Sequence, residues 1–474
     1  MKREVVVVGG GISGLACAER LARDASVSVT LIEARSRLGG NIQTLREEGF
    51  VVDAGPDAWV ANKPDASNLA KELGLETELV GTREENRRVY IAHEGRLHAM
   101  PEGLVLGIPT EVGPLLATPL LSWEGKLRAG LDLVIPARRF DAGDDESVHA
   151  FITRRLGEEI ADRLVAPLLG GIFAGDANAI SVRAAFPMLV AAEEKHGSLV
   201  RAMRAAKAAG GARSRPAPSA FVTLRGGMSA FIDALRARVE GAGTVMIEQA
   251  VARIERSRPA GHDVTLSAGT TLHADELVLA LPTRNAAPLV EPLYPDLASA
   301  LAGILDYAST IAVFLALPKS SVGHALDATG FIVPRAAGTR LVAATFVGSK
   351  WAERTPEDVA LFRVFLAASP EREPNDERDD DLVELARREL GAFIPLSGPL
   401  SYAKVVRHVL ASPQPKVGHL VRRDKLARLA AAIPGLWIAS SGVDGVGIPD
   451  CVKKAHAIAG AILDVESRNA ERRH

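Results

Sequence analysis

The sequence predicts an α/β fold combined with an α+β part. Four consecutive valines at residues 5–8 are typical of a buried parallel strand, and a glycine-rich turn and a helical pattern follow them directly. Similar strand, turn and helix patterns return after residue 220 and again after residue 435, whereas residues 104–209 are mainly helical in pattern. We therefore expect a Rossmann-like domain assembled from separate segments, a mixed-sheet domain and a helical insertion.

The first glycine turn has the spacing of a dinucleotide-binding motif. Gly9, Gly11 and Gly14 follow the pattern G-x-G-x-x-G between a strand and a helix. Gly9 permits the tight turn, Gly11 lets the backbone approach a pyrophosphate, and Gly14 brings the helix close to the strand. The free N–H groups at the start of that helix would then face the phosphates. A glycine-rich turn alone can imitate this pattern, but here the strand, the glycines and the helix occur together.

An acidic residue completes the motif. Glu33 lies 19 residues beyond Gly14, at the end of the strand-like run 27–32. Its carboxylate can accept hydrogen bonds from a ribose diol and would repel a 2′-phosphate, which favours FAD or NAD over NADP. The chain has no second G-x-G-x-x-G for a separate nicotinamide site, and a strand with a glycine turn at 435–447 leads into the last helix. FAD is therefore the predicted cofactor.

Composition excludes several other classes of protein. The 474 residues carry a net charge of −2, so we expect no nucleic-acid partner. Cys17 and Cys451 are far apart and have no neighbours at metal-ligand spacing, which predicts neither a disulfide nor a metal site and favours a reducing cytosol. The amino terminus runs directly into a strand, without room for a signal peptide. Residues 104–121 are apolar but broken by prolines, and they fit either a membrane-surface segment or the lining of a hydrophobic channel.

Three further stretches suggest contacts with a bound ligand. The basic loop at 35–44 fits a second cofactor contact or an ordinary surface turn. The strand that starts at residue 50 breaks at a Gly-Pro turn, which fits either backbone laid against a flavin ring or a hairpin corner. Arg87, in a predicted strand at 87–91, is either a carboxylate clamp or a solvated surface arginine.

The remaining chain divides into further predicted elements. Helices are predicted at 62–80, 123–134, 147–156, 158–169, 185–206, 382–392 and 452–463, with one more ending at 239. Strands are predicted at 245–254, 272–281, 310–317, 340–347 and 361–367. Residues 210–219, rich in glycine, proline, alanine and arginine, are expected to form a linker or mobile loop.

Taken together, these motifs resemble a known family over essentially the whole chain. The glycine turn, Glu33 and residues 37–40 are similar to the wider amine-oxidase-like flavoproteins. The segments 171–176, 193–198, 224–228 and 445–451 resemble more specifically the FAD-dependent protoporphyrinogen and coproporphyrinogen oxidases of haem synthesis.

The resemblance implies roles for individual residues. It places Arg87, Gly171 and Ile332 at the substrate, and it expects no catalytic side chain and no metal, because the flavin carries the chemistry. The residues that it implies for FAD are Gly9, Gly10, Gly11, Ile12, Ser13, Gly14, Glu33, Ala34, Arg37, Gly40, Asn41, Gly55, Pro56, Asp57, Ala58, Val251, Gly442, Val446, Gly447 and Ile448.

The resemblance also implies a division into domains. The FAD-binding domain would comprise residues 1–85, 220–285 and 416–474, and the substrate domain residues 86–103 and 286–415. Residues 104–210 would form a helical, membrane-associating insertion. A cytoplasmic location follows, whereas peripheral contact with the membrane and a homodimer stay open.

The implied activity is the six-electron oxidation of protoporphyrinogen IX to the porphyrin, with O₂ as electron acceptor. Coproporphyrinogen III is the alternative substrate, because two departures from the family pattern leave substrate placement open. The chain has Pro413-Gln414-Pro415 where the family commonly has Pro-Gln-Tyr, and Thr329-Gly330 where many members have Phe-Gly. A flavin oxidase of amines or polyenes, and a non-catalytic binder on the same fold, are the rivals.

Overall fold

The computed structural model describes residues 2–105, 108–109, 111–141, 143–173, 175–209, 219–369 and 371–471. Its strands are β1 (Arg3–Val8), β2 (Val27–Ile32), β3 (Thr44–Glu47), β4 (Phe50–Asp53), β5 (Trp59–Val60), β6 (Leu79–Gly81), β7 (Val89–His93), β8 (Arg96–Ala99), β9 (Leu104–Val105), β10 (Ile108–Pro109), β11 (Phe221–Leu224), β12 (Thr244–Met246), β13 (Val251–Arg256), β14 (His262–Leu266), β15 (Thr271–Ala274), β16 (Glu276–Leu279), β17 (Asp306–Pro318), β18 (Gly330–Ile332), β19 (Leu341–Phe346), β20 (Val359–Ala367), β21 (Tyr402–Gln414) and β22 (Leu436–Ile438).

The α-helices are α1 (Ile12–Ala22), α2 (Asp65–Glu72), α3 (Val112–Ala117), α4 (Trp123–Gly130), α5 (Val148–Leu156), α6 (Glu158–Ile160), α7 (Ala166–Phe173), α8 (Val182–Ala185), α9 (Pro187–His196), α10 (Leu199–Ala209), α11 (Ser229–Glu240), α12 (Thr283–Val290), α13 (Pro295–Ile304), α14 (Val347–Lys350), α15 (Asp379–Gly391), α16 (His419–Ala431) and α17 (Ile448–Glu471). A π-helical turn, Ala161–Val165, joins α6 to α7.

A five-stranded parallel sheet forms the first layer, in the order β12-β2-β1-β16-β22. Its central strand is buried on both faces, as the valine run predicts. Val5 and Val7 pack with residues of α1, α11 and α17, whereas Val6 and Val8 pack with residues of α12 and α13. The strands come from the beginning, the middle and the end of the chain, so separate segments build one sheet.

A seven-stranded mixed sheet forms the second layer, in the order β21-β17-β20-β19-β18-β7-β8. Only the pair β18–β7 is parallel among its described strands. Helix α15 packs against this sheet through Leu382, Ala386 and Leu390. The predicted combination of an α/β part with a mixed sheet is confirmed.

The helical part, α3–α10, has its own apolar core, which also includes Ile332 and Ala343 of the mixed sheet. A buried ionic network lies within it. Nε of the fully buried Arg155 donates to Asp132 at 2.6 Å, and its Nη1 lies 3.2 Å from the carboxylate of Glu193. Among the described residues, no helix has the length and apolar character needed to cross a membrane.

Several predicted elements differ from the structure. The helix predicted at 62–80 is α2 alone, and Gly74, at φ +82°, follows its end. The helix predicted at 185–206 is divided among α8, α9 and α10, because Pro187 starts one helix and Gly197 ends it in the left-handed conformation. The strand predicted at 272–281 is two strands, β15 and β16.

The last differences concern element ends. The strand predicted at 87–91 begins only at Val89, so Arg87 precedes it. The final helix begins at Ile448, four residues earlier than predicted. The linker predicted at 210–219 lies outside the described residues except for Ser219.

Candidate functional site

One cavity of about 1220 Å³ runs between the two sheets and the helical part. Its walls come from the first glycine turn, the loops at 39–42 and 55–57, and the start of α17. Further along, α7, the loop at 333–342 and the ends of β17, β20 and β21 complete the lining.

The glycine turn has the geometry that its spacing predicts. Gly9 has φ +109°, and a Cβ on Gly14 would lie 1.9 Å from the carbonyl oxygen of Gly9. A Cβ on Gly11, in contrast, would meet nothing within 4 Å. Helix α1 begins at Ile12 without a side-chain cap, so its first N–H groups and the open space before Gly11 fit a pyrophosphate.

Glu33 is held in place at the next section of the cavity wall. Its Oε2 accepts a hydrogen bond from the backbone N–H of Gly10 at 2.8 Å, and its Oε1 accepts one from Arg35 at 2.9 Å. These bonds fix the carboxylate while leaving further lone pairs for a ribose diol. Ala34 lines the cavity beside it.

Two glycine-containing loops, at 39–42 and 55–57, form the following strip. The N–H of Gly39 donates to the carbonyl oxygen of Gly10 at 2.8 Å, and a Cβ on Gly55 would lie 1.7 Å from the carbonyl oxygen of Asn41. Arg37 does not line the cavity, because it donates to carbonyl oxygens of its own loop, among them Gly40 at 2.7 Å. The strip therefore offers backbone to a flat ligand.

The start of α17 closes this half of the cavity. Val446, Ile448 and Cys451 line it, and burial raises the pKa of the Cys451 thiol above its ordinary value. The carboxylate of Asp450 accepts from the N–H of Gly447 at 3.3 Å and binds Lys63 at 2.6 Å. The positive end of this helix thus faces the cavity, as does the start of the neighbouring α1.

The cavity brings together most of the residues predicted for FAD. Those that line it are Gly9, Gly11, Ile12, Ser13, Glu33, Ala34, Gly40, Asn41, Gly55, Pro56, Asp57, Val446 and Ile448. Those that do not are Gly10, Gly14, Arg37, Ala58, Val251, Gly442 and Gly447. Val251 begins β13 near Gln249, whose N–H donates to the carbonyl oxygen of Glu33.

The residues predicted for the substrate are placed less centrally. Arg87 does not line the cavity, and one of its guanidinium nitrogens lies 3.4 Å from Glu84. Ile332 is buried in the core of the helical part, and its neighbours Val333 and Pro334 line the cavity instead. Gly171 belongs to α7, but its surroundings lie outside the described residues. Their roles stay predictions.

Sequence reasoning missed a cluster of buried charges behind the strip. Asp57 Oδ2 accepts from Lys350 at 2.7 Å and from the indole N–H of Trp351 at 2.9 Å. Burial alone would raise the pKa of Asp57, but Lys350 and Arg363 bring it well below its usual range. Arg363 and His408 both line the cavity and both donate to the carbonyl oxygen of Ala54, at 3.2 and 2.8 Å.

His408 is neutral in this setting. Burial lowers its pKa, and the charge of Arg363 lowers it further. Sequence reasoning named Asp57 for FAD without its partners, and a further signal for this cluster was the arginine at position 363, which interrupts the apolar run 361–367.

The far half of the cavity carries a cation on apolar walls. Arg335 lies there, 3.4 Å from Asp176, whereas Arg284 lines the cavity nearer the glycine turn and donates to the carbonyl oxygen of Leu410. Gly170, Pro167 and Phe365 are among the apolar residues there. This half therefore fits a flat apolar ligand with anionic substituents.

Comparison with known proteins gives one family and consistent relatives. The family model described as flavin containing amine oxidoreductase matches residues 12–463. The coproporphyrinogen III oxidase of Bacillus subtilis (strain 168) is 32% identical over 98% of this chain and 98% of its own. That of Propionibacterium freudenreichii subsp. freudenreichii is 35% identical over 97% of this chain and 90% of its own. The chloroplastic protoporphyrinogen oxidase of Oryza sativa subsp. japonica is 28% identical over 98% of this chain and 89% of its own.

A solved structure shows the same architecture. A protein from Exiguobacterium sp. 255-15, which carries protoporphyrinogen oxidase as a provisional name, superposes with a TM-score of 0.84 at 30% identity. The match covers 98% of this chain and 99% of that one.

Proposed function

Because the chain belongs to the family of flavin-containing amine oxidoreductases, and is accordingly an FAD-dependent oxidase, we propose that it oxidises a porphyrinogen to a porphyrin in haem synthesis. The observation that carries the proposal is the cavity of about 1220 Å³, which continues from the glycine turn to the cationic far half. Sites for one small molecule occupy about 300–1,000 Å³, so this cavity is larger than a site for one small ligand needs to be.

FAD, when bound, supplies a hydride acceptor for two-electron steps. Three such steps remove the six electrons that separate a porphyrinogen from its porphyrin, and we take O₂ as the final acceptor. The residues of the chain bind and orient: Glu33 and the start of α1 hold the nucleotide, and the backbone at 39–42 and 55–57 presents a flat wall. The apolar residues of the far half would pack against the macrocycle.

We propose coproporphyrinogen III as the substrate, ahead of the protoporphyrinogen IX that the resemblance favoured. Coproporphyrinogen carries four propionates and protoporphyrinogen two, and the far half presents Arg335 to such groups. The names of the Bacillus and Propionibacterium relatives agree with this choice, whereas those of the Oryza and Exiguobacterium proteins favour protoporphyrinogen.

The experiment supplies each porphyrinogen separately to the FAD-loaded protein and follows porphyrin fluorescence. We expect faster turnover of coproporphyrinogen III, and a larger rise of KM for it than for protoporphyrinogen IX in R335Q. Turnover of protoporphyrinogen alone would reverse the choice of substrate. Turnover of neither, with FAD bound and a benzylamine control oxidised, would replace the proposal by an amine oxidase.

We also propose that one exposed apolar face touches a membrane surface. Trp123, Leu127 and Leu131 follow one another at intervals of four residues along α4 and the turn after it, and Trp123 and Leu127 are 68% and 73% exposed. Lys126 lies 4.7 Å from the ring of Trp123, as suits an anionic lipid surface.

Flotation with phosphatidylglycerol vesicles tests this contact. L127E should lower the bound fraction, whereas V421E, which alters a 55%-exposed valine on α16, should not. Equal binding of wild type and L127E would remove the proposal. The cytoplasmic location and the homodimer stay predictions.

A further inference from the structure

Arg363 is a buried cation at the wall of the cavity. It lies on β20, is 6% exposed, and lines the cavity next to Phe365. Its guanidinium carbon is 4.5 Å from the ring centre of Phe365 and 5.5 Å from that of Phe314. Removing a charge from water into such apolar surroundings is costly unless another charge compensates it.

The carboxylates nearby are already committed to other cations. Asp57 binds Lys350 at 2.7 Å, and Asp53 lies 3.1 Å from Arg354. The cluster therefore contains two anions, Asp53 and Asp57, and three cations, Lys350, Arg354 and Arg363. His408 beside them is neutral. The cluster therefore carries one positive charge in excess, although Asp57 and Asp53 both act electrostatically on Arg363.

The hydrogen bonds of Arg363 locate that charge. Its Nη2 donates to the carbonyl oxygen of Ala54, whereas its Nε is buried and has no hydrogen-bond partner among the described residues. No carboxylate of the described chain lies within 4.0 Å of its guanidinium. A guanidinium stays protonated even when burial lowers its pKa, so the excess positive charge is permanent.

The charge stands directly behind the predicted flavin contact. Ala54, its hydrogen-bond acceptor, precedes the cavity-lining residues 55–57, and both ends of the bond are buried. We propose that Arg363 stabilises the negative charge that the isoalloxazine ring gains on two-electron reduction, and so raises the reduction potential of the bound FAD. In a site shielded from water, one fixed charge acts strongly on a charge that develops nearby. The inference rests on FAD binding and is independent of which porphyrinogen is oxidised.

Sulfite binding measures this effect without any porphyrinogen. Sulfite donates its electron pair to form a bond between sulfur and N5 of the oxidised ring, and the ring becomes negatively charged, as it does on reduction. We expect wild-type protein to form this adduct, seen as bleaching of the flavin absorbance. R363M should raise the Kd for sulfite at least tenfold, and R363K, which keeps the charge, should stay within threefold of wild type.

The reduction potential gives a second readout. A tenfold change in a two-electron equilibrium equals about 30 mV, so R363M should lower the potential by at least about 30 mV in a dye-equilibration titration. R236Q is the control for the loss of an arginine, because Arg236 pairs with Glu240 on the exposed surface of α11 and does not line the cavity; we expect it to leave both values unchanged. R363Q replaces R363M if the latter loses FAD.

Three results would overturn the proposal. One is a wild-type protein that holds FAD but forms no sulfite adduct. Another is wild-type sulfite affinity and potential in R363M. The third is a change confined to KM for the porphyrinogen, which would make Arg363 a ligand of a substrate carboxylate. Failure of the proposed function would leave the sulfite result intact, so the two are distinguishable.

Discussion

Alanine at Gly14 and alanine at Gly11 should have opposite consequences, although the two glycines are three residues apart. A Cβ on Gly14 would lie 1.9 Å from the carbonyl oxygen and 3.1 Å from the carbonyl carbon of Gly9. Both are backbone atoms of the turn after β1, so no side chain can rotate away, and α1 must move from the sheet. Overpacking of this kind costs about 1–3 kcal/mol or more, a large share of a typical stability of about 5–15 kcal/mol.

Gly11 has the reverse surroundings. Its φ of −74° and ψ of 178° suit alanine, and a Cβ there meets no atom of the chain within 4 Å. Alanine is a poorer helix cap than glycine but restricts the unfolded chain, and these effects offset each other to within about 0.5 kcal/mol. The methyl group would occupy the space that we assign to the pyrophosphate. A clash of about 1–3 kcal/mol there weakens FAD binding by roughly 5–150-fold.

Two measurements separate these outcomes. Urea unfolding of the FAD-free protein should show a loss of stability for G14A and none for G11A. Titration with FAD, followed by quenching of its fluorescence, should show a weaker Kd for G11A. The reasoning is refuted if G11A binds FAD as wild type does, or if G14A leaves the free energy of unfolding unchanged.

Three further predictions concern carboxylates. E33Q removes the charged group that accepts hydrogen bonds from Gly10 and Arg35, so the Kd for FAD should rise by the equivalent of about 1.5–3 kcal/mol. A Kd equal to that of the wild type in an FAD titration would contradict the ribose contact. D57N should cost about 1–3 kcal/mol at pH 7, because it leaves the largely buried Lys350 without its half-buried partner. Because the pKa of Asp57 is depressed in the folded protein, the stabilisation by this carboxylate is present above about pH 4 and is lost as the pH falls towards the folded pKa. In urea unfolding, the free energy of unfolding of D57N should therefore decline less steeply with acid than that of the wild type. Equal slopes for the two proteins below about pH 4 would contradict this. D132N should lower the free energy of unfolding by about 3–5 kcal/mol, because it disrupts the ion pair of the fully buried Arg155. D424N, which alters an exposed ion pair, should change it by at most about 1 kcal/mol. Thermal melts in which the two variants unfold at the same temperature would refute the role of the buried network.

Features that depend on neighbouring residues were predictable from the sequence. The conformations of Gly9 and Gly14 follow from a spacing of a few residues, and the buried character of β1 follows from its valines. The ends of α9 were encoded as well, in Pro187 and Gly197, but the apolar pattern across them suggested one long helix. Local signals therefore identified elements better than they placed their boundaries.

Features that depend on sheet register were not predictable. Asp57 meets Lys350 and Arg363 only because the loop after β4 is laid across the mixed sheet, where β20 places residue 363 opposite Phe314 of β17. Arg87 was predicted to bind the substrate, but the sequence around a single arginine does not show whether its side chain faces a cavity or solvent. The structure places Arg87 outside the cavity lining. Charges brought together across some 300 residues leave no trace in local spacing.

The order of strands in the parallel sheet has a consequence for synthesis. Val5 of β1 pairs with Glu276 of β16, 271 residues later, and β22 follows only at Leu436. At about 5–20 residues per second, a ribosome needs roughly 15–55 s to supply that partner. During this interval the valine strand emerges with one edge open and its apolar faces only partly covered, a state that favours chaperone binding or aggregation. FAD therefore cannot assist the folding of the first segments to be synthesised. The start of α17, which forms one wall of the predicted FAD site, is among the last segments to leave the ribosome.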